Sequence, residues 1–285
     1  MALPQFHKYH ALGNDYIVLD PVSFKPMLTA DWIRRLCHRN YGVGSDGILL
    51  GPLPVSPEAG HAGTSWALRI FNPDGGEAEK SGNGLRIFCR YLMDAGYAKG
   101  DAFTIETAGG IVHCSLLDGG QKIRVEMGRI SFLSADIPVS GPPREVLRET
   151  IEVEGQSLVF AAATIGNPHC VIRTPQASPA QAKGLGPFIE TDSRFPNRVN
   201  VQFMEILDRA NIKIEIWERG AGYTLASGSS ASACAAVAKR LGWCDTHVQV
   251  HMPGGTLEVT VLDDFTVIQT GPVTPVAHGG IDLGP

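Results

Sequence analysis

Two stretches of this chain, offset by 146 positions, run in one register and end alike, on a Ser-Gly pair that opens a helical pattern. The first runs from Phe71 to Ser81-Gly82 and the second from Trp217 to Ser227-Gly228. Each has an aromatic residue ten places before its serine and a glycine fifteen places after it, Gly96 and Gly242. A second echo lies upstream, where Gly13-Asn14-Asp15-Tyr16-Ile17-Val18 returns as Gly166-Asn167-Pro168-His169-Cys170-Val171 at an offset of 153. Two echoes in one order, with offsets differing by a loop's length, indicate an internal duplication. A chain built twice carries two equivalent helix starts, and any site there is built twice as well.

The strand signals are short β-branched or aromatic runs bounded by Gly, Pro, Asn or Asp. They include Tyr16–Leu19, Trp66–Phe71, Phe103–Glu106, Lys122–Glu126, Leu158–Ala162, Asn200–Phe203, Lys213–Trp217 and Thr256–Val261. Helical pattern is scarcer. It covers Asp31–Cys37 behind a Thr29 cap, Gly82–Ala95 with Leu85, Phe88, Cys89 and Leu92 on one stripe, and the Ala-rich Ser230–Leu241. The mixture predicts an α+β fold of mainly antiparallel sheet with few helices. The turn-rich Pro138–Pro143 reads as a linker between the halves. The boundaries expected are 1–130 and 131–273, with a Pro- and Gly-rich tail at 274–285 returning to the first half.

The formal net charge is −5 and no basic run occurs, so neither nucleic acid nor an anionic membrane surface is an expected partner. The longest apolar stretches, such as Leu158–Ile165, are too short to span a bilayer. The first residues lack a charged segment followed by an apolar one, so a cytoplasmic location is expected. The six cysteines form no C-x-x-C pair and sit mostly among apolar neighbours, which reads as buried thiols. His7 and His10 lie in a strand pattern that puts them on opposite faces, and no metal site is expected.

The first amides of a helix lack partners and its dipole is positive there, which makes an anion site. Gly82, Asn83, Gly228 and Ser229 are therefore candidate carboxylate binders, while Ser81 and Ser227 also suit ordinary N-caps. Glu218-Arg219 ends an apolar strand beside a Gly-x-Gly turn and reads as a structural ion pair or a ligand clamp. In the clamp, Arg219 takes a carboxylate and Glu218 an ammonium. Asn14, Asn72, Asn167 and Asn200 lie at or beside strand ends, each a turn residue alone and together suited to a zwitterion.

These motifs resemble those of the diaminopimelate epimerases. The match runs through Phe6-His7-Lys8, Leu12–Tyr16, Gly42–Gly47, Arg69–Gly75, Gly82-Asn83-Gly84, Asn167-Pro168-His169, Arg194-Phe195-Pro196, Val199-Asn200-Val201, Glu218–Gly222 and Met252–Gly255. It spans nearly the whole chain in family order. The resemblance implies two pseudo-symmetric domains, each wrapping sheet around a central helix, with the active site in the cleft between them. It implies cofactor-independent inversion of an amino acid α-carbon, a small-molecule amino acid substrate, and a place for His169 in the substrate pocket. A homodimer is compatible with it.

The family's two proton-moving residues are cysteines at helix N-termini, and here those positions are Ser81 and Ser227. A serine hydroxyl is a poor base unless something activates it. Tyr223 stands where the family usually has glutamate, Gly47 where a glutamine-like residue is common, and the Gly228–Ala233 segment is richer in serine than usual. Lys80 and Tyr223 flank the serines and would serve as bases were their pKa values lowered. Three readings of the serine pair follow: an epimerase of diaminopimelate impaired by loss of both thiols, a divergent racemase or dehydratase acting on another amino acid, or a non-catalytic amino-acid-binding protein. Members of related fold in which a hydroxyl residue replaces one cysteine dehydrate hydroxylated imino acids.

Overall fold

The computed structural model describes residues 3–25 and 27–282. Its contacts divide the chain into two units, one holding the residues up to Glu126 and those from Thr270 onward, the other running Met127–Gln269.

The first unit begins with β1 (Gln5–Ala11), β2 (Asn14–Leu19), α1 (Ala30–Cys37), β3 (Ile48–Leu53), α2 (Pro57–His61), β4 (Trp66–Phe71) and β5 (Glu77–Ala78). It continues with α3 (Gly82–Asp94), β6 (Ala102–Thr107), β7 (Gly110–Leu117) and β8 (Lys122–Arg129). Neighbours are antiparallel except at two steps, β2 to β3 and β4 to β6, which are parallel and carry α1 and α3 as crossovers. Its core gathers Ile17, Leu19, Phe24, Ile33, Leu36, Ile48 and Phe71.

The second unit repeats that plan. It holds β9 (Glu149–Val153), β10 (Gln156–Thr164), β11 (Pro168–Arg173), α4 (Pro179–Glu190), β12 (Asn200–Asp208), β13 (Asn211–Glu218) and β14 (Gly222–Thr224), then α5 (Gly228–Arg240), β15 (His247–Met252), β16 (Gly255–Val261) and β17 (Thr266–Pro272). The parallel steps are again two, β11 to β12 across α4 and β13 to β15 across α5. The last strand, β18 (Thr274–Gly280), lies antiparallel to β1, as β9 lies beside β10. In the tail expected at 274–285, Ile281 joins the first unit's core, and 283–285 lie outside the described residues. The Pro138–Pro143 stretch is no linker: it lies inside the second unit, where Val139 packs in the core with Ile137 and Val146.

Each unit wraps its sheet around one buried helix. α3 buries every residue from Gly82 to Cys89, and α5 buries ten of its thirteen. Alanine at five positions of α5 lets strands approach on all sides. The two helices also stop alike. Gly96 (φ 76°) and Gly242 (φ 73°) take the left-handed conformation just past the helix end. The next amides, Tyr97 and Trp243, then reach back to the carbonyls of Leu92 and Ala238, each at 2.8 Å.

Candidate functional site

Both serines are N-caps with nearly identical backbones, φ −140° and ψ 119° at Ser81, φ −143° and ψ 121° at Ser227. Ser81 Oγ accepts from the Gly84 amide at 3.0 Å, and Ser227 Oγ from that of Ser230 at 3.4 Å. The asparagine echo meets these helix starts in both units. Asn83 Nδ2 donates to Asn14 Oδ1 at 3.0 Å, and Asn167 Nδ2 donates to Ser229 Oγ at 3.2 Å. The structure thus brings Asn14, Ser81, Gly82 and Asn83 together in one unit, and Asn167, Ser227, Gly228 and Ser229 together in the other.

A polar network fixes the first of these clusters. The Arg86 guanidinium, fully buried, bonds Asn83 Oδ1, and burial pushes its pKa down to about 10. Asn14 Nδ2 donates to Asp46 Oδ2 at 2.9 Å, and Arg39 bridges Asp46 to Asp15 at 2.6 and 2.8 Å. Burial works to raise the Asp15 carboxyl, but hydrogen bonds from Arg39 and Lys8 outweigh it and hold it below the usual range. Asn72 is exposed and closes the β4–β5 turn through its backbone, its amide bonded to the Gly76 carbonyl at 2.8 Å.

In the second unit His169 and Asn200 are register partners on the parallel strands β11 and β12. Asn200 Nδ2 donates to the Pro168 carbonyl at 2.9 Å, while its Oδ1 accepts the Arg219 amide at 3.1 Å. Arg219 is exposed, and its guanidinium donates to the Asn197 carbonyl at 2.9 Å. Glu218, half-buried, ends β13 opposite Gly222.

His169 is completely buried, with Nε2 3.1 Å from Asn167 Oδ1 and Nδ1 3.2 Å from Gln202 Nε2. Burial, with Arg219 nearby, pushes the imidazole down to about 3, only partly opposed by its hydrogen bond with Gln202. It is therefore neutral at pH 7. Because the folded value lies below the ordinary 6.5, the unfolded chain alone takes up this proton between the two, and stability falls as pH drops through that window. Between pH 7 and 5 this one group is expected to remove about 2 kcal/mol. Urea unfolding at both pH values should show that loss reduced in His169→Gln, and an equal loss in both proteins would contradict the assignment.

The two flanking residues weighed as bases fare differently. Tyr223 donates its hydroxyl to Glu215 Oε2 at 2.7 Å, and burial together with that carboxylate raises its pKa to about 12, which disqualifies it as a base at neutral pH. Lys80 is lowered by burial, against the charge of Glu126.

The described cysteines are all buried and unbridged. Burial raises the thiols of Cys37, Cys89, Cys170, Cys234 and Cys244, so none of these five is poised as a thiolate. Among the described residues no group of three His, Cys, Asp or Glu side chains could hold a metal, and no helix is long and apolar enough to cross a membrane.

Three further polar residues support the helix starts without standing out in the sequence. Gln202 Nε2 also donates to Ser230 Oγ at 3.0 Å, and Gln269 Nε2 donates to the Gly228 carbonyl at 2.9 Å and to Ser232 Oγ at 2.8 Å. A Cβ at Gly228 would lie 2.8 Å from Gln269 Oε1, so any side chain there would displace that amide. The third is Tyr16, whose hydroxyl lies 3.2 Å from Ser81 Oγ. Its signal was the upstream echo, in which Tyr16 occupies the position of His169.

The diaminopimelate epimerase family model matches residues 6–133 and 161–276. A diaminopimelate epimerase 2 of Nostoc sp. is 56% identical over 275 residues, covering 96% of this chain and 94% of the relative. A diaminopimelate epimerase of Stutzerimonas stutzeri is 40% identical over 99% of this chain and all of its own. Among solved structures, a hydroxyproline epimerase of Agrobacterium vitis aligns with a TM-score of 0.72 at 16% identity, covering 98% of this chain and 92% of that one. A probable proline racemase of Agrobacterium radiobacter aligns at 0.71 and 18% identity, covering 99% and 93%. At those identities the structural likeness is one of fold. The sequence matches reach further, and by them this chain belongs to the diaminopimelate epimerase family.

Proposed function

We propose that the protein is a cytoplasmic isomerase that inverts the α-carbon of an amino acid, LL- or meso-diaminopimelate, without a cofactor. One observation carries the reading: the same constellation, a serine-capped helix start tied to an asparagine at or just before a strand's first residue, is built once in each unit. Inversion at carbon needs two proton-handling groups, one for each face, and the duplication supplies two. On one face Ser81 or Ser227, its own hydroxyl proton given up, takes the α-proton and becomes a hydroxyl again, and the C–H electron pair passes into the adjacent carboxylate. The other returns a proton to the opposite face. The first-turn amides at Gly82, Asn83, Gly228 and Ser229 favour the growing negative charge on that carboxylate.

Arg219 and Glu218 suit the ends of a zwitterion, with Asn14, Asn72, Asn167 and Asn200 as neutral hydrogen-bonding groups around it. His169, neutral and tied to Asn167, fixes that side chain and accepts no substrate proton in its resting state. The substrate assignment rests on the names of the two relatives. Proton NMR of a panel of L- and D-amino acids in heavy water tests it: loss of the α-proton signal is expected from diaminopimelate alone. Faster exchange from another amino acid would favour the divergent racemase, and binding of diaminopimelate with no exchange would favour the binding protein.

A further inference from the structure

Ser81 Oγ has two lone pairs and one proton. The Gly84 amide uses one lone pair. The Tyr16 hydroxyl, 3.2 Å away, uses either the second lone pair or the proton. When Tyr16 accepts, Ser81 presents a lone pair in the remaining direction; when Tyr16 donates, Ser81 presents a proton. With Tyr16 ionised the phenolate can only accept, so Ser81 donates to it and turns a lone pair outward. With Tyr16 protonated and donating, Ser81 turns its proton outward, and these two protonation states of the pair are a base and an acid.

The position of Tyr16 depends on a neighbour. A Cβ at Gly47 would lie 2.6 Å from Tyr16 Cε1 and 2.6 Å from the Phe71 carbonyl oxygen. The Tyr16 ring thus fills the space beside position 47 and takes a hydroxyl to the serine. The duplication gives independent support. The residue equivalent to Tyr16 is His169, which also joins a hydrogen-bond network at its own helix start, through Asn167 to Ser229 and through Gln202 to Ser230.

We propose that Tyr16 is the proton partner of Ser81, a positioning residue that acts through the serine, and that Gly47 is the gap that seats it. The inference rests on the epimerase reading. In the base direction the substrate Cα–H bond breaks and leaves its electron pair on carbon. A Ser81 Oγ–H bond forms as the serine's own O–H breaks, and that proton joins the Tyr16 phenolate. The acid direction is the reverse. A phenol gives up its proton far more readily than an aliphatic alcohol, so the pair reaches a base form that a lone serine does not.

The test is a double-mutant cycle on α-hydrogen exchange from diaminopimelate, using the full-length protein. Tyr16→Phe keeps the ring against Gly47, and thermal unfolding verifies the fold. In the Ser81 protein it should lower kcat by about 100-fold, with KM changed less than about twofold, and abolish the rise of rate at alkaline pH. In a Ser81→Cys background the same change should cost less than about threefold, because a thiolate needs no phenol partner. Without touching Tyr16, Ser81→Cys alone should move the alkaline rise down into the thiol range. Equal losses in both backgrounds would reduce Tyr16 to packing and overturn the inference. Exchange by a Ser81→Cys, Ser227→Cys protein but none by the wild type would overturn it also. Silence from both, with both folded, would instead bring down the epimerase reading.

Discussion

Placing thiols at both helix starts, Ser81→Cys with Ser227→Cys, is expected to raise kcat for epimerisation of diaminopimelate by at least about 10³-fold. A thiol is a few per cent ionised at neutral pH and is a soft, ready proton acceptor, whereas a serine hydroxyl is almost never ionised. The scaffold is ready for the exchange, since the two serines share one backbone conformation at the starts of two buried helices. The gain carries a cost in stability. Serine is among the best N-cap residues and cysteine is not, so each replacement should cost about 0.5–2 kcal/mol. The double variant is thus expected to be faster and to melt lower. Single replacements separate the two faces: each should speed exchange from one α-configuration without speeding inversion as much. A folded double variant no faster than the wild type would detach these positions from the chemistry.

Arg86→Ala is expected to cost about 3–5 kcal/mol of stability. The side chain is completely buried at the centre of α3, so alanine leaves a cavity. It also strips a charged donor from Asn83 Oδ1, an acceptor on a residue itself only 5% exposed. Asn83 holds Asn14, and Asn14 holds Asp46, so the loosening should pass into the candidate site. Arg86→Met, which refills most of the volume, separates cavity from lost hydrogen bond: about half the cost should return. Urea unfolding of the two variants checks both figures, and an alanine variant within 1 kcal/mol of wild type would refute the account of this network.

Much of the fold could be read before any coordinates, because duplication writes the same local signals twice. The serine caps and the glycines fifteen residues on mark both central helices to within a residue or two. Helix α4 was hidden by Gly184, Gly186 and Pro187, which weaken helical pattern. Its Gly186 is set by tertiary contact: a Cβ there would lie 2.6 Å from Trp217 Cβ, so the helix trades propensity for a close approach to β13. The return of the 274–285 tail to the first half was expected, but its strand character was hidden by Pro275, Gly279 and Gly280, and there it pairs with β1.

Within the candidate site, the helix starts and the asparagines that touch them were legible from spacing. The supporting groups were not. Gln202 reaches His169 across 33 positions and Gln269 reaches Gly228 across 41, and a buried amide carries no local pattern that separates it from a solvated one. Tyr223 shows the opposite error. Its nearness in sequence to Ser227 suggested a base, whereas its hydrogen bond to Glu215 makes it a fixed donor.

The central claim is that Ser81 and Ser227 are the proton-moving ends of an epimerase, and deuterium incorporation at the α-carbon of diaminopimelate in heavy water tests it most directly. Wild-type protein is predicted to introduce deuterium as the inverted isomer accumulates. The paired cysteine variant should do so far faster, and a paired Ser81→Ala, Ser227→Ala variant should not do so at all. Exchange by the alanine pair at the wild-type rate, or none by a folded cysteine pair, would contradict the claim.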